Sequence, residues 1–124
     1  MRVPPRVAEV LGRLERTRWK RFNLHPDSAR LLALLARLER AKSVIEVGTS
    51  NGYSAIVLGN AIRAHGGHIT TIERDGDTVE EATANIADAG LDEVVTIRPG
   101  SAYRVLEGLE GPWDFTFLDA TKQE

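Results

Sequence analysis

The chain has 124 residues, 42% of them hydrophobic and 27% charged, with a net charge of −2; this suits one compact domain built on a single core. No apolar run is long enough to span a bilayer, and the first twenty residues are too charged for a secretory signal, so no membrane partner is expected. Cysteine is absent, which excludes disulfides and thiolate-bound zinc and fits a cytoplasmic location.

Charge is unevenly spread. Residues 1–21 carry seven Lys/Arg (Arg2, Arg6, Arg13, Arg16, Arg18, Lys20 and Arg21) against Glu9 and Glu15. Such an arm can attract RNA or an anionic substrate; the plainer reading is a solvated helix face. Within it, Val7, Val10, Leu11 and Leu14 recur at helical spacing, which predicts a helix over residues 5–20 entered through Pro4 and Pro5. A second helix is predicted over residues 28–40, capped by Asp27 or Ser28, with Leu31, Leu32, Leu34, Leu35 and Leu38 as its buried stripe.

The period then changes. Val44-Ile45-Glu46-Val47 is a short β-branched run that ends at glycine, the pattern of a strand entering a tight turn. A helix is expected over residues 54–64, broken by Gly66-Gly67, and a second strand over 68–72. A helix over 78–89 ends at Gly90; a third strand follows at 94–97, a short helix at 102–106 and a fourth strand at 114–118. Helices alternating with short buried strands imply an α/β fold, a Rossmann-like parallel sheet with helices on both faces. No internal repeat or low-complexity linker interrupts it. Residues 1–41 read as N-terminal helices, and residues 42–124 as the ligand-binding part of one domain.

The turn Gly48-Thr49-Ser50-Asn51-Gly52 is the most informative segment. Its glycines permit a sharp bend and close approach of a ligand, and the next helix begins with polarised N–H groups. It is not the dinucleotide fingerprint Gly-x-Gly-x-x-Gly, because Ser50 stands where the pyrophosphate-admitting glycine belongs. An NAD-type domain is therefore disfavoured. Glu46, a carboxylate on a buried strand, needs a partner, and a ligand ammonium is one candidate. Glu73 closes the second strand, where an acidic side chain can accept both ribose hydroxyls; a surface Glu in a turn is the plainer reading.

Three stretches together resemble the cation-dependent O-methyltransferases that include catechol and caffeoyl-CoA O-methyltransferases. They are Leu31 to Ser54 with Ile45-Glu46-Val47-Gly48 and Gly52-Tyr53-Ser54, then Ile72-Glu73, then Trp113-Asp114-Phe115-Thr116-Phe117-Leu118-Asp119-Ala120-Thr121-Lys122. The last is similar to the family's Asp-x-x-Phe-x-Asp-Ala-x-Lys signature, and the resemblance spans residues 22–124.

The resemblance implies a cofactor, S-adenosylmethionine (SAM), and methyl transfer to a hydroxyl of a small aromatic or CoA-linked acceptor. Glu46, Gly48, Thr49, Ser50, Gly52, Tyr53 and Ser54 would hold its methionine end, Glu73 its ribose, and Gly100, Ser101 and Ala102 its adenine. Asp119 would stand at the cofactor's edge and be the first ligand of a divalent cation (Mg, Mn or Ca), with Lys122 as general base. Without the resemblance, Asp119 is a turn cap and Lys122 a solvated terminal residue.

The family's sheet has seven strands in the order 3-2-1-4-5-7-6, and the sequence reads through the first four. Further metal ligands would lie past Glu124, so the expectation is a truncated chain of doubtful catalytic competence, self-associating through the fourth strand's exposed edge. The alternatives are a non-catalytic module binding SAM or its product S-adenosylhomocysteine (SAH), and a tRNA-modifying methyltransferase using the basic arm. His25, His65 and His68 show no metal-ligand spacing and read as surface or turn residues.

Overall fold

A computed structural model describes residues 3–17 and 23–119. In chain order these form α1 (Pro5–Arg16), α2 (Pro26–Leu38), β1 (Ser43–Val47), α3 (Tyr53–Arg63), β2 (His68–Glu73), α4 (Gly76–Asp88), β3 (Val95–Pro99), α5 (Ala102–Glu107) and β4 (Phe115–Leu118). The strands pair in parallel, as the alternation of strand and helix patterns predicts, and in the order β3-β2-β1-β4 that the family resemblance implies. The register sets Glu46 opposite Thr71 on one side and Phe117 on the other.

Side chains alternate across the sheet, and the two faces are covered unequally. Val44, Ile69 and Val95 point into the larger core, with Val7, Val10 and Leu14 of α1, Ala29, Leu32, Ala33 and Ala36 of α2, the buried face of α3, and Ile86 of α4. Ile45, Val47 and Ile72 face the other way and meet Ala102 and the partly buried Val105, Leu109 and Trp113. Four long helices therefore cover one face and the short α5 part of the other.

Turn chemistry fixes the elements' ends. Asp75 accepts a hydrogen bond from Thr78 N and starts α4 at Gly76, two residues ahead of expectation. Gly90 takes φ 72° just after α4, the left-handed stop that glycine tolerates. Gly67 is needed for space: a Cβ there would lie 2.7 Å from both Ala41 O and Ile62 Cβ. Arg6 donates to Asp88 O (3.2 Å) and Ala87 O (3.1 Å), so α1 caps the negative end of α4.

Two expectations are corrected. The second helix starts at Pro26, and His25 is its cap: its imidazole accepts from Asp27 N at 3.1 Å, in place of Asp27 or Ser28. Of its leucine stripe Leu32 alone is buried as expected. Leu31, Leu34, Leu35 and Leu38 are exposed, Leu38 at 70%, while Ala29, Leu32, Ala33 and Ala36 face inward. Both sets follow an i, i+3, i+4, i+7 spacing, so periodicity cannot choose between them. The small set wins because alanines let α2 lie close against α3. The first helix ends at Arg16; the rest of the span predicted for it, residues 18–20, lies outside the described residues.

Candidate functional site

The carboxyl ends of the four strands are tied into one rim by backbone hydrogen bonds. Gly48 N and Thr49 N both donate to Ile72 O (2.9 and 3.2 Å), Gly100 N to Glu73 O (2.9 Å), and Asp119 N to Val47 O (2.9 Å). This brings the turn after β1, the acid ending β2, the glycine after β3 and the acid after β4 to one end of the sheet. In open parallel sheets that end is where ligands bind.

The turn itself runs through the left-handed region. Gly48 has φ 100°, Ser50 φ 52° and Gly52 φ 93°, and two glycines make such a path tolerable. Gly52 precedes α3, and a Cβ on it would meet Ala82 O at 3.5 Å. Asn51 closes the bend: its side-chain oxygen accepts from Tyr53 N (3.2 Å), and its carbonyl accepts from Asn85 Nδ2 of α4 (2.8 Å). Ser50 is half-buried, whereas Gly48, Thr49, Asn51, Gly52, Tyr53 and Ser54 are buried.

Beneath the turn lies a carboxylate with no exposed surface. Glu46 is 0% exposed; its Oε1 accepts from Thr71 Oγ1 at 2.7 Å, and its Oε2 accepts from Ser54 Oγ. Thr71 Oγ1 also lies 2.6 Å from Thr49 Oγ1. A threonine hydroxyl carries one proton, and that of Thr71 goes to Glu46, so Thr49 is the donor in the second bond. Burial pushes the Glu46 carboxyl up to about 7, against the pull of the Ser54 and Thr71 hydrogen bonds; the charges of Asp119 and Glu73 add to the rise. Two hydroxyls are thus partners of the Glu46 carboxyl.

Glu73 is half-buried at the rim. Its Oε1 accepts from Ser50 N (2.9 Å) and its Oε2 from Asp75 N (3.2 Å). Each carboxylate oxygen has a second lone pair, so the group is oriented yet can still accept hydroxyl protons. Beyond it, an open cleft of about 630 Å³ is lined by Arg98, Pro99, Gly100, Ser101, Arg104, Val105 and Gly108. Ser101 caps α5, accepting from Arg104 N at 3.3 Å, and Ala102 is buried against the smaller core.

Other expected site residues stand apart. Tyr53 is 2% exposed and its hydroxyl donates to Glu15 of α1 at 2.6 Å, so its ring serves the helix contact. Asp119 is exposed, with its carboxyl raised by partial desolvation. Among the described residues no three His, Cys, Asp or Glu gather as a cation would require. Asp119 alone does not fit a divalent cation that takes six or more oxygens, so no metal step follows from these residues. Lys122 lies outside the described residues, as do Arg2, Arg18, Lys20 and Arg21 of the basic arm. Of the others, Arg6 is committed to the end of α4 and Arg13 lies 3.5 Å from Asp88. His68 Nε2 meets Thr96 Oγ1 (2.9 Å), and His65 Nε2 lies 2.8 Å from Ala41 O.

Sequence reasoning gave no role to Thr71, Asn85 or Asp114, the last noted only as the start of the family signature. The Asp114 carboxylate accepts from Lys42 N (2.9 Å) and Ser43 N (3.0 Å), clasping the start of β1. Thr71 and Asn85 act across 25 and 34 positions of chain, separations at which local pattern is silent. A clue for Thr71 was the polar pair Thr70-Thr71 set between the buried Ile69 and Ile72.

The profile of a family described as O-methyltransferase matches residues 5–124. A catechol O-methyltransferase of Niastella koreensis is 38% identical over 105 residues, covering 82% of this chain and 47% of that protein. A caffeoyl-CoA O-methyltransferase of Medicago sativa is 30% identical, over 84% of this chain and 44% of that protein. Among solved structures, an O-methyltransferase from Bacillus cereus in complex with SAH superposes with a TM-score of 0.83 at 30% identity, covering 99% of this chain and 57% of that one. The O-methyltransferase TomG from Streptomyces achromogenes, in complex with SAM, gives 0.82 at 30% identity, over 98% and 56%. The chain spans about half the length of the relatives it matches.

Proposed function

The chain belongs to the O-methyltransferase family, and from that premise we propose that it carries the SAM-binding part of an enzyme that methylates a hydroxyl of a small aromatic or CoA-linked acceptor. SAM supplies an electrophilic methyl group on a sulfonium. The chain's own residues supply shape and orientation. The left-handed turn at residues 48–52 brings the half-buried Ser50 to the rim, Glu73 offers oriented acceptors to a ribose, and the cleft at Gly100 and Ser101 is open to a flat base. Such positioning of a reactant is a large part of what a transferase contributes.

The observation that carries the reading is Glu73: a rim carboxylate held by Ser50 N of the glycine turn and by Asp75 N. Calorimetric titration with SAM and SAH tests it. Glu73→Ala is expected to weaken both by about 2 kcal/mol, the scale of lost hydrogen bonds to a charged group. Equal affinities of the two proteins, or a preference for a dinucleotide, would sink it.

A second reading is binding without transfer, favoured by the absence of a three-ligand cluster among the described residues. SAM binding with no methyl transfer, with or without added magnesium, would select it. An RNA acceptor is less supported, since Arg6 and Arg13 are already engaged with α4. Self-association through the β4 edge rests on Leu118, 70% exposed, because Phe115 and Phe117 pack toward the larger core. A clean monomer in light scattering at high concentration removes that idea.

A further inference from the structure

The glycine turn is flanked by two buried hydroxyls, Thr49 at its entry and Ser54 at its exit. Both lead to the same carboxylate. Ser54 donates to Glu46 directly, and Thr49 reaches it through Thr71. These four residues are 0 to 6% exposed, so water does not compete for their bonds. Thr71 is the strand-β2 partner of Glu46 in the sheet register, with both side chains on one face. Its position is therefore fixed by the backbone ladder rather than by the turn.

We propose that Thr71 is a positioning residue for the cofactor turn: with Glu46 it ties the entry and the exit of residues 48–54 to the rigid centre of the sheet. The inference rests on the SAM-binding reading and adds to it that Glu46 and Thr71 together hold the two flanks of the turn through hydroxyls. A buried carboxylate is costly to retain where an apolar residue would fill the space. Here it lets one group accept from both flanks, which no aliphatic side chain does. The turn is also left-handed at Ser50, an unfavourable conformation for a residue with a Cβ, and holding both flanks resists its relaxation.

Thr71→Val keeps the shape and removes the hydroxyl; Thr71→Ser restores the hydroxyl without the methyl. Amide hydrogen exchange on the ligand-free protein is the first readout. Thr71→Val is expected to speed exchange at residues 48–54 by about tenfold relative to the α2 and β3 amides, and Thr71→Ser to return it most of the way. SAH titration is the second, with an expected loss of about tenfold in affinity for Thr71→Val and recovery in Thr71→Ser. Should Thr71→Val fail to fold, Thr49→Val deletes the neighbouring bond and takes its place. Unchanged exchange in the turn, or unchanged SAH affinity in a wild type that binds, overturns the positioning role alone. A wild type with no affinity for SAH overturns that role together with the SAM-binding reading.

Discussion

β1 and β4 run side by side and end at the same rim, yet the acids near their ends live in opposite surroundings. Glu46 has no exposed surface and its two oxygens are taken by hydroxyls. Asp119 is exposed and tied in by its backbone N–H to Val47 O. The difference separates two kinds of site. On the β1 side the chain holds its shape before any ligand arrives; on the β4 side the described residues offer a carboxylate with room around it. Preorganisation of this kind lowers the ordering cost of binding at the first place and leaves the second to be shaped by whatever meets it.

The largest expected effect comes from neutralising the buried acid. The folded-state pKa of Glu46, about 7, lies above its ordinary 4.5, so the folded protein holds that proton more tightly than the unfolded chain. Its contribution to stability is whole below the ordinary pKa and is lost as pH rises toward 7. Glu46→Gln stays neutral and can both accept and donate among the same hydroxyls. Urea unfolding should show the variant gaining on wild type as pH climbs from about 5 to about 8, by on the order of 3 kcal/mol. A gap that stays constant over that range would mean the carboxyl is less isolated than its burial suggests.

Next in size is the backbone of the turn. Gly52 sits at φ 93° with Ala82 O 3.5 Å from where a Cβ would stand. Gly52→Ala should destabilise by about 1–2 kcal/mol, chiefly through the left-handed conformation. A thermal midpoint equal to wild type would show that the turn relaxes freely. Smaller again is the clasp below it. Asp114→Ala leaves the Lys42 and Ser43 amides without their acceptor, at a cost of about 1 kcal/mol because water can replace it. Faster hydrogen exchange at those two amides would register the change.

The contrast between the two sides also explains what could be read in advance. The strands, helices and turn were legible because β-branched runs, helical spacing and glycine placement are local signals, while the strand order came through the family resemblance. The acids at the rim were legible because each closes a strand. The leucines of α2 misled, since two apolar stripes with the same spacing share that helix and only packing against α3 decides between them. His25 as a cap was hidden behind the better cap formers Asp27 and Ser28, two and three positions on. Thr71, Asn85 and Asp114 were out of reach because their partners are fixed by strand register and helix placement. The hydroxyl partners of Glu46 fall in the same class: the sequence showed that a partner was needed, and Thr71 became one only when β2 lay beside β1.

Asp119→Asn is the smallest expected effect, and it tests the comparison itself. On an exposed side chain the change should move global stability by less than about 0.5 kcal/mol, because water screens the charge. The Asp119 carboxyl is raised by partial desolvation, so the sign at neutral pH favours the neutral asparagine, and the advantage fades as pH falls and the wild-type acid takes its proton. Its second consequence is at a distance. The charge of Asp119 is one of the causes that lift Glu46, so its removal should shift the pH-dependent loss of wild-type stability toward lower pH. If the two sides of the rim were electrically independent, the stability profile of Asp119→Asn would keep the wild-type midpoint. A shifted midpoint with little change in stability at low pH would show the open acid tuning the closed one across the β1–β4 pair.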